Sequence, residues 1–252
     1  MMMRASLGLR LPALVIGAVF VASTVVRADL PIGPVSDPAG DFRTFDAANP
    51  LSFAGPDNPA LDVVSVDVVL DLSKNTFTFT QTMAGPISGL VGAGGALLGS
   101  YSWGINHGFS NLNFAELGLP NILFDAVLTL NPNGTSSYRG TAAPAGSVTV
   151  SGDTLTAVLP VSFLAPPTTP ANALGPLLPD FDWTFNLWPR SAIKVDGTTL
   201  GFGDAQIADF APDSTDFGVQ TVPEPSSLMA LGLGLVGAGL ASRASRRRDR
   251  RG

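Results

Sequence analysis

The chain has 252 residues, of which 45% are hydrophobic and 13% are charged, and it carries 28 glycines and 21 prolines. It contains no cysteine and one histidine, which excludes disulfides, a cysteine nucleophile and a zinc site built from thiolates or several histidines. Residues 29–222 hold 18 acidic and five basic side chains, so we expect this surface to repel nucleic acid and to attract divalent cations.

The first 28 residues have the pattern of a secretory signal peptide. Arg4 and Arg10 form a basic start, residues 11–26 are uncharged and mostly apolar, and small residues occupy positions 26 and 28. We therefore predict a signal helix over residues 1–28, which signal peptidase removes after Ala28. A retained N-terminal anchor is the alternative interpretation.

Residues 29–221 alternate between apolar and polar side chains with the period of two that is typical of β-strands. Strands or hairpins are predicted over residues 66–79, 124–130, 148–163, 183–187 and 192–202. Two of the hairpin turns are expected at Gly152-Asp153 and Asp196-Gly197. Short strands with frequent turns predict an all-β passenger domain, a single antiparallel β-sandwich of jelly-roll-like form.

Two long connections interrupt this alternation. Residues 85–100 are apolar and glycine-rich without a period, which suits either a mobile loop or a buried crossing. This segment prompts the hypothesis that the sandwich binds a small molecule or a lipid. Residues 164–180 contain five prolines and are predicted to connect across the sandwich, because a strand pattern resumes directly after them.

The sequence contains no recognisable catalytic constellation. No serine lies in a Gly-x-Ser-x-Gly elbow, and His107 lies among glycine and asparagine, which is typical of a solvated or structural loop histidine. A glycosidase needs two carboxylates about 5–10 Å apart, and the many aspartates show no pattern that singles out a pair. We predict a protein that is not an enzyme, with a polysaccharide hydrolase using an aspartate pair as the alternative.

Two groups of aspartates lie where turns are expected. The first group is Asp37, Asp41 and Asp62, and the second group is Asp209, Asp213 and Asp216. Calcium takes six to eight oxygen ligands, which carboxylates and free carbonyl groups on turns supply. The first group is therefore the candidate calcium site and calcium the candidate cofactor, with turn formation as the alternative role of these residues.

The alternation of apolar and polar residues also predicts on which face of its strand each of the three tryptophans lies. Trp103 and Trp183 fall on the apolar faces of their strands and are predicted to be buried. Trp188 falls on the opposite face, so it is the candidate for contact with a sugar ring. Packing of Trp188 beneath a loop is the alternative.

Residues 222–252 combine three elements in order: Pro223-Glu224-Pro225, an uncharged apolar run over residues 228–241, and an arginine-rich end. As a helix the apolar run rises about 21 Å, and flanking serines and snorkelling of the first arginine extend its reach across a bilayer. We predict a short C-terminal transmembrane helix. The arginines expected to stay in the cytoplasm and retain the chain in the inner membrane are Arg243, Arg246, Arg247 and Arg248.

This order of elements resembles the PEP-CTERM sorting signal of Gram-negative bacteria. The resemblance implies that an exosortase, an integral-membrane transpeptidase-like enzyme, cuts the chain near Pro223, Glu224 and Pro225. It also implies transient anchoring in the inner membrane, followed by transfer to the cell surface or extracellular matrix. Proteins of this kind commonly occur in bacteria that make exopolysaccharide. A C-terminal anchor that is never cut is the alternative.

The sequence thus predicts a signal peptide over residues 1–28, a β-sandwich passenger over 29–221 and a sorting signal over 222–252. The expected function is that of an exported, non-catalytic surface protein. Its expected partners are signal peptidase, exosortase, the inner membrane and extracellular polysaccharide, without nucleic acid.

Overall fold

The computed structural model describes residues 30–41, 58–109, 112–168, 175–192 and 206–222. No helix within these ranges is long and apolar enough to cross a membrane. The predicted signal helix, the C-terminal transmembrane helix and the turn at Asp196-Gly197 lie outside the described residues.

Short strands dominate the described residues. The strands are β1 (Val35–Ser36), β2 (Val63–Asp71), β3 (Thr76–Met83), β4 (Gly99–Asn106), β5 (Leu112–Phe114), β6 (Leu119–Phe124), β7 (Ala126–Leu130), β8 (Ser136–Tyr138), β9 (Thr141–Ala142), β10 (Val148–Ser151), β11 (Thr154–Pro160), β12 (Thr184–Ser191), β13 (Gln206–Ile207), β14 (Phe217–Gly218) and β15 (Gln220–Val222). Short 3-10 helices cover Pro59–Leu61, Ile87–Leu90, Ala93–Gly95, Ala115–Leu117, Val161–Leu164 and Asp180–Asp182.

These strands form two large sheets and one small one. The first sheet has the order β1-β2-β3-β11-β10, with β15 also paired to β2. The second sheet has the order β13-β12-β4-β7-β8-β9, with β14 also paired to β12, and β5 and β6 form a separate pair. Neighbouring strands are antiparallel, apart from β15, which runs parallel to β2. The prediction of an all-β, antiparallel domain is confirmed.

Two hairpins show how the sequence produces this pairing. In β2 and β3, buried and partly buried side chains alternate, and the strands pair from Asp71 opposite Thr76. In β10 and β11, Ser151 lies opposite Thr154, so Gly152 and Asp153 alone form the turn. Gly152 has a φ of +65°, a left-handed conformation that glycine adopts at little steric cost. Both predicted hairpins are confirmed, but the second ends at Pro160 instead of residue 163, because Val161–Leu164 form a 3-10 helix.

The hydrophobic core lies between the inner faces of the two large sheets. The ring centroid of Phe77 in β3 lies 5.2 Å from that of Trp183, which directly precedes β12, and the centroid of Phe79 lies 5.2 Å from that of Trp103 in β4. Both tryptophans are buried, as predicted. This packing fits a β-sandwich, whereas the jelly-roll-like connectivity stays a prediction.

The two long connections pass from one large sheet to the other. Residues 85–98 join β3 to β4. Ile87 and Leu90 are buried in the core, whereas residues 93–96 are exposed, so only the first part of this crossing is anchored in the core. The connection from β11 to β12 also changes sheet, as predicted, although residues 169–174 lie outside the described ranges.

Both terminal segments of the described domain lie on one edge of β2. Val35 and Ser36 of β1 pair with Val66 and Ser65, while residues 220–222 of β15 pair with residues 69–71. Between them, the Gly218 N–H donates to the Pro31 carbonyl at 2.8 Å. The beginning and the end of the domain are therefore neighbours, and this arrangement positions the candidate site.

Candidate functional site

The structure joins the two aspartate groups that the sequence kept apart. Carboxylate oxygens of Asp37, Asp41 and Asp213 lie within 4.8 Å of one another, and so do those of Asp41, Asp62 and Asp209. Asp41 belongs to both sets, so the five side chains form one continuous group. We call these five residues the carboxylate cluster.

The N-terminal segment places two of the five carboxylates. Asp37 directly follows β1, and its N–H donates to the Val64 carbonyl at 2.9 Å. The turn that carries the chain on to Asp41 contains Gly40 with a φ of +86°, a conformation that a larger residue adopts only with strain. The Gly40 N–H donates to both carboxylate oxygens of Asp62, at 2.9 and 3.1 Å.

Asp62 directly precedes β2, and the C-terminal segment places the last two carboxylates, Asp209 and Asp213, and links the cluster to both large sheets. Asp209 accepts hydrogen bonds from the backbone N–H groups of Val63, at 2.8 Å, and Phe210, at 2.7 Å. Ala211 exchanges two backbone hydrogen bonds with Leu187, at 2.8 and 3.0 Å. Val63 belongs to the first sheet and Leu187 to the second, so the cluster lies where the two sheets meet.

Burial makes the charge of the cluster costly. Asp37, Asp62 and Asp209 expose 7%, 4% and 0% of their surface. Burial, followed by the charges of the neighbouring carboxylates, raises the pKa of Asp37 to about 8. Burial also raises the pKa of Asp209 to about 7, against the backbone N–H groups that lower it. Such a group needs protons or a cation to offset the repulsion between its carboxylates.

Three carboxylate oxygens in the cluster have unused acceptor capacity. The Oδ2 atom of Asp37 and both oxygens of Asp41 are buried and have no hydrogen-bond partner among the described residues. Buried polar atoms are nearly always paired, so atoms of this kind call for an explanation. Carboxylate oxygens that face one another in this way are suited to coordinate a hard divalent cation.

Asp216, the remaining member of the second sequence group, has a different role. Its carboxylate accepts hydrogen bonds from the Leu123 N–H at 3.1 Å and from the Thr184 hydroxyl at 2.8 Å. Burial raises the pKa of Asp216 to about 7, while these donors lower it. Asp216 therefore connects β6 to β12, and within the described part of the chain it belongs to neither set of the cluster.

Trp188 is buried, so the prediction that it contacts a sugar ring is wrong. It exposes 4% of its surface, and its ring centroid lies 5.0 Å from those of Phe114 and Phe124. These phenylalanines belong to β5 and β6, which cover the outer face of the second sheet at this point. The alternation correctly placed Trp188 on the outer face, but this face is covered by a third layer.

His107 has a structural role, in agreement with one of its two predicted roles. The ring is fully buried, its Nδ1 pairs with the Asp125 carboxylate, and its Nε2 lies 3.1 Å from the Leu164 carbonyl. Asp125 also accepts the backbone N–H groups of His107 and Phe109, at 2.9 and 3.1 Å. No local pattern indicates this pairing, because His107 follows β4 and Asp125 lies between β6 and β7, and only the sheet brings the two positions together.

These features define an all-β domain, and β15 is its last described strand. Residues 221–248 match the PEP-CTERM protein-sorting motif, which identifies the chain as a PEP-CTERM sorting-signal protein. This motif implies that an exosortase sorts the protein to the cell surface. No curated protein and no solved structure matches the chain.

The motif match begins inside the last strand. Thr221 and Val222 belong to β15, and Pro223 follows directly. The predicted processing residues Pro223, Glu224 and Pro225 and the retention arginines at 243 and 246–248 fall within the matched segment. They lie outside the described residues, as does Ala28, so their individual roles stay predictions.

Proposed function

We propose that this chain is a non-catalytic surface protein that an exosortase releases from the inner membrane into the extracellular matrix. After export, the apolar run and the arginines that follow it hold the chain in the inner membrane. Exosortase then cuts near Pro223-Glu224-Pro225, and the passenger domain moves outward.

The observation that carries this proposal is the position of the sorting motif relative to the fold. β15 ends at Val222, so a cut at or after Pro225 leaves every described strand in place. Because proline does not fit within a helix, we expect the segment before the apolar run to be extended and open to binding by a processing enzyme. The passenger can therefore lose its tail without losing hydrogen bonds of its sheets.

The test replaces the Pro-Glu-Pro motif and measures whether the C-terminal segment is still removed. The triple variant Pro223→Ala, Glu224→Ala and Pro225→Ala should remain in the membrane fraction with its tail attached. A double variant, Ser226→Ala and Ser227→Ala, changes adjacent residues outside the motif and should be trimmed normally. Immunoblots of cell fractions with an epitope placed after residue 252 distinguish these results. Normal loss of the epitope from the triple variant would contradict the proposal.

The carboxylate cluster supports a second candidate, a polysaccharide hydrolase with an aspartate pair, less well than it supports ion binding. The raised pKa of Asp37 is a property that general acids share. However, Asp209 is fully buried and both of its carboxylate oxygens accept backbone hydrogen bonds, which suits a structural position. Turnover of a polysaccharide panel that the Asp41→Asn variant loses would favour the hydrolase over the non-catalytic protein.

A third candidate, a sandwich that binds a small molecule or lipid, was prompted by residues 85–100. The apolar side chains of Ile87 and Leu90 fill the protein core instead of facing a ligand. Native mass spectrometry of the purified chain tests this candidate directly. A co-purified ligand of constant mass would support it, whereas the non-catalytic surface protein is expected to carry none.

A further inference from the structure

We infer that the carboxylate cluster binds calcium, and that the ion fastens both terminal segments of the passenger to its two sheets. The ligands fall into two overlapping sets, Asp37, Asp41 and Asp213 on one side and Asp41, Asp62 and Asp209 on the other, and each set is compact enough to hold an ion. Of these five residues, only Asp37, Asp41 and Asp62 are predicted from the sequence. This inference does not depend on how the chain is sorted.

The donor set favours calcium over other biological metals. All five side chains offer carboxylate oxygens, and hard cations such as calcium and magnesium prefer oxygen, whereas zinc and copper sites favour nitrogen or sulfur. The oxygens of each set lie within 4.8 Å of one another, which is the separation that two ligands of one ion can have. Calcium accepts irregular geometries and several protein ligands, whereas magnesium retains much of its water and demands an octahedron.

The unpartnered oxygens point independently to a ligand. Asp37 is more than nine-tenths buried, and its Oδ2 has no hydrogen-bond partner among the described residues. The carboxylate of Asp37 faces those of Asp41 and Asp213. Buried carboxylate oxygens that face one another cannot form hydrogen bonds with each other when both are ionised, because neither has a donor. A cation between them supplies the missing interaction.

The cluster joins parts of the chain that are distant in sequence. Asp37 and Asp41 belong to the segment that begins the domain, and Asp209 and Asp213 belong to the segment that leads to β14 and β15. Asp62 directly precedes β2, and the strands of both segments, β1 and β15, pair with β2. The chain has no cysteine, so an ion at this point supplies the cross-link between its ends that a disulfide provides in other exported proteins.

Thermal unfolding of the full chain in mild detergent measures the effect of the ion. A ligand that binds only the folded state raises the midpoint, by about 5–10 °C when calcium is a hundredfold above its dissociation constant. We expect this rise when calcium replaces EDTA, and a smaller rise with magnesium at the same concentration. An unchanged midpoint with calcium would overturn the inference, and a magnesium effect as large as that of calcium would overturn the choice of ion.

The Asp37→Asn variant distinguishes a ligand from a merely structural residue. In EDTA the variant should unfold at a temperature at least as high as that of the wild type, because one of several carboxylates that face one another has been removed. In calcium it should unfold at a lower temperature than the wild type, because a ligand has been lost. The exposed Asp153, where Asp153→Asn makes the same change of charge outside the cluster, should keep the wild-type response.

Terbium luminescence provides a readout that does not depend on stability, because terbium occupies calcium sites. Wild type and Asp153→Asn should bind terbium in competition with calcium, and Asp37→Asn should bind it at least tenfold more weakly. If Asp37→Asn binds terbium as tightly as the wild type, or lowers the unfolding temperature equally with and without calcium, the inference fails.

Discussion

Truncation of Trp188 tests whether the outer face of the second sheet is covered. The indole lies among Phe114, Phe124 and Phe210. A buried tryptophan removes roughly 150–250 Å² from water, which at about 25 cal/mol per Å² corresponds to roughly 4–6 kcal/mol of transfer free energy. Core Trp→Ala substitutions cost about 3–5 kcal/mol, so we expect Trp188→Ala to lower the free energy of unfolding by that amount.

Urea unfolding followed by far-UV circular dichroism measures this change in the purified chain. Phe181→Ala is the matched control, because Phe181 is an aromatic residue that exposes 53% of its surface. Surface substitutions usually change stability by less than about 0.5 kcal/mol, and we expect this of Phe181→Ala. If Trp188→Ala costs no more than Phe181→Ala, the indole is exposed and the three-layer packing described above is wrong.

Three further predictions concern other buried contacts. A Cβ at Gly104 would lie 2.4 Å from the Trp188 ring, so Gly104→Ala should lower the free energy of unfolding in urea by about 1–3 kcal/mol. Gly89→Ala is the control, because a Cβ there meets nothing within 4 Å, and it should cost less than about 1 kcal/mol. Asp125→Asn should cost about 3–5 kcal/mol, because Asp125 forms a buried pair with His107 and accepts two backbone N–H groups. Asp216 has a folded pKa of about 7, raised above its unfolded value, so ionisation favours unfolding. The wild type should therefore lose stability relative to Asp216→Asn as pH rises from 4 to 7, by at most about 1.4 kcal/mol per pH unit, with no further loss above pH 7. Equal pH profiles for the two proteins would contradict this assignment.

Local patterns were sufficient to predict the longer strands β2, β3, β7, β10, β11 and β12 and the sorting motif, but not the short strands such as β1 and β15. The alternation in residues 66–79 identified a hairpin because each strand buries one face, and Gly152-Asp153 identified a turn because glycine adopts the required backbone conformation. The PEP-CTERM motif was equally readable, since its three elements are contiguous in the chain.

Contacts between distant segments were not predictable in the same way. Asp209 and Asp213 join Asp37, Asp41 and Asp62 only because β1 and β15 share one edge of β2, and nothing in either segment encodes that pairing alone. The burial of Trp188 depends likewise on where β5 and β6 fold back. These contacts depend on the order of the strands in the sheets, and a local sequence pattern does not determine that order.

The intact mass of the protein recovered from outside the cell shows whether exosortase has removed the C-terminal segment. We expect a chain that begins near Asp29 and ends close to Pro225, without the apolar run and the arginines. Recovery of an extracellular chain that still carries residues 228–252 would contradict processing by exosortase.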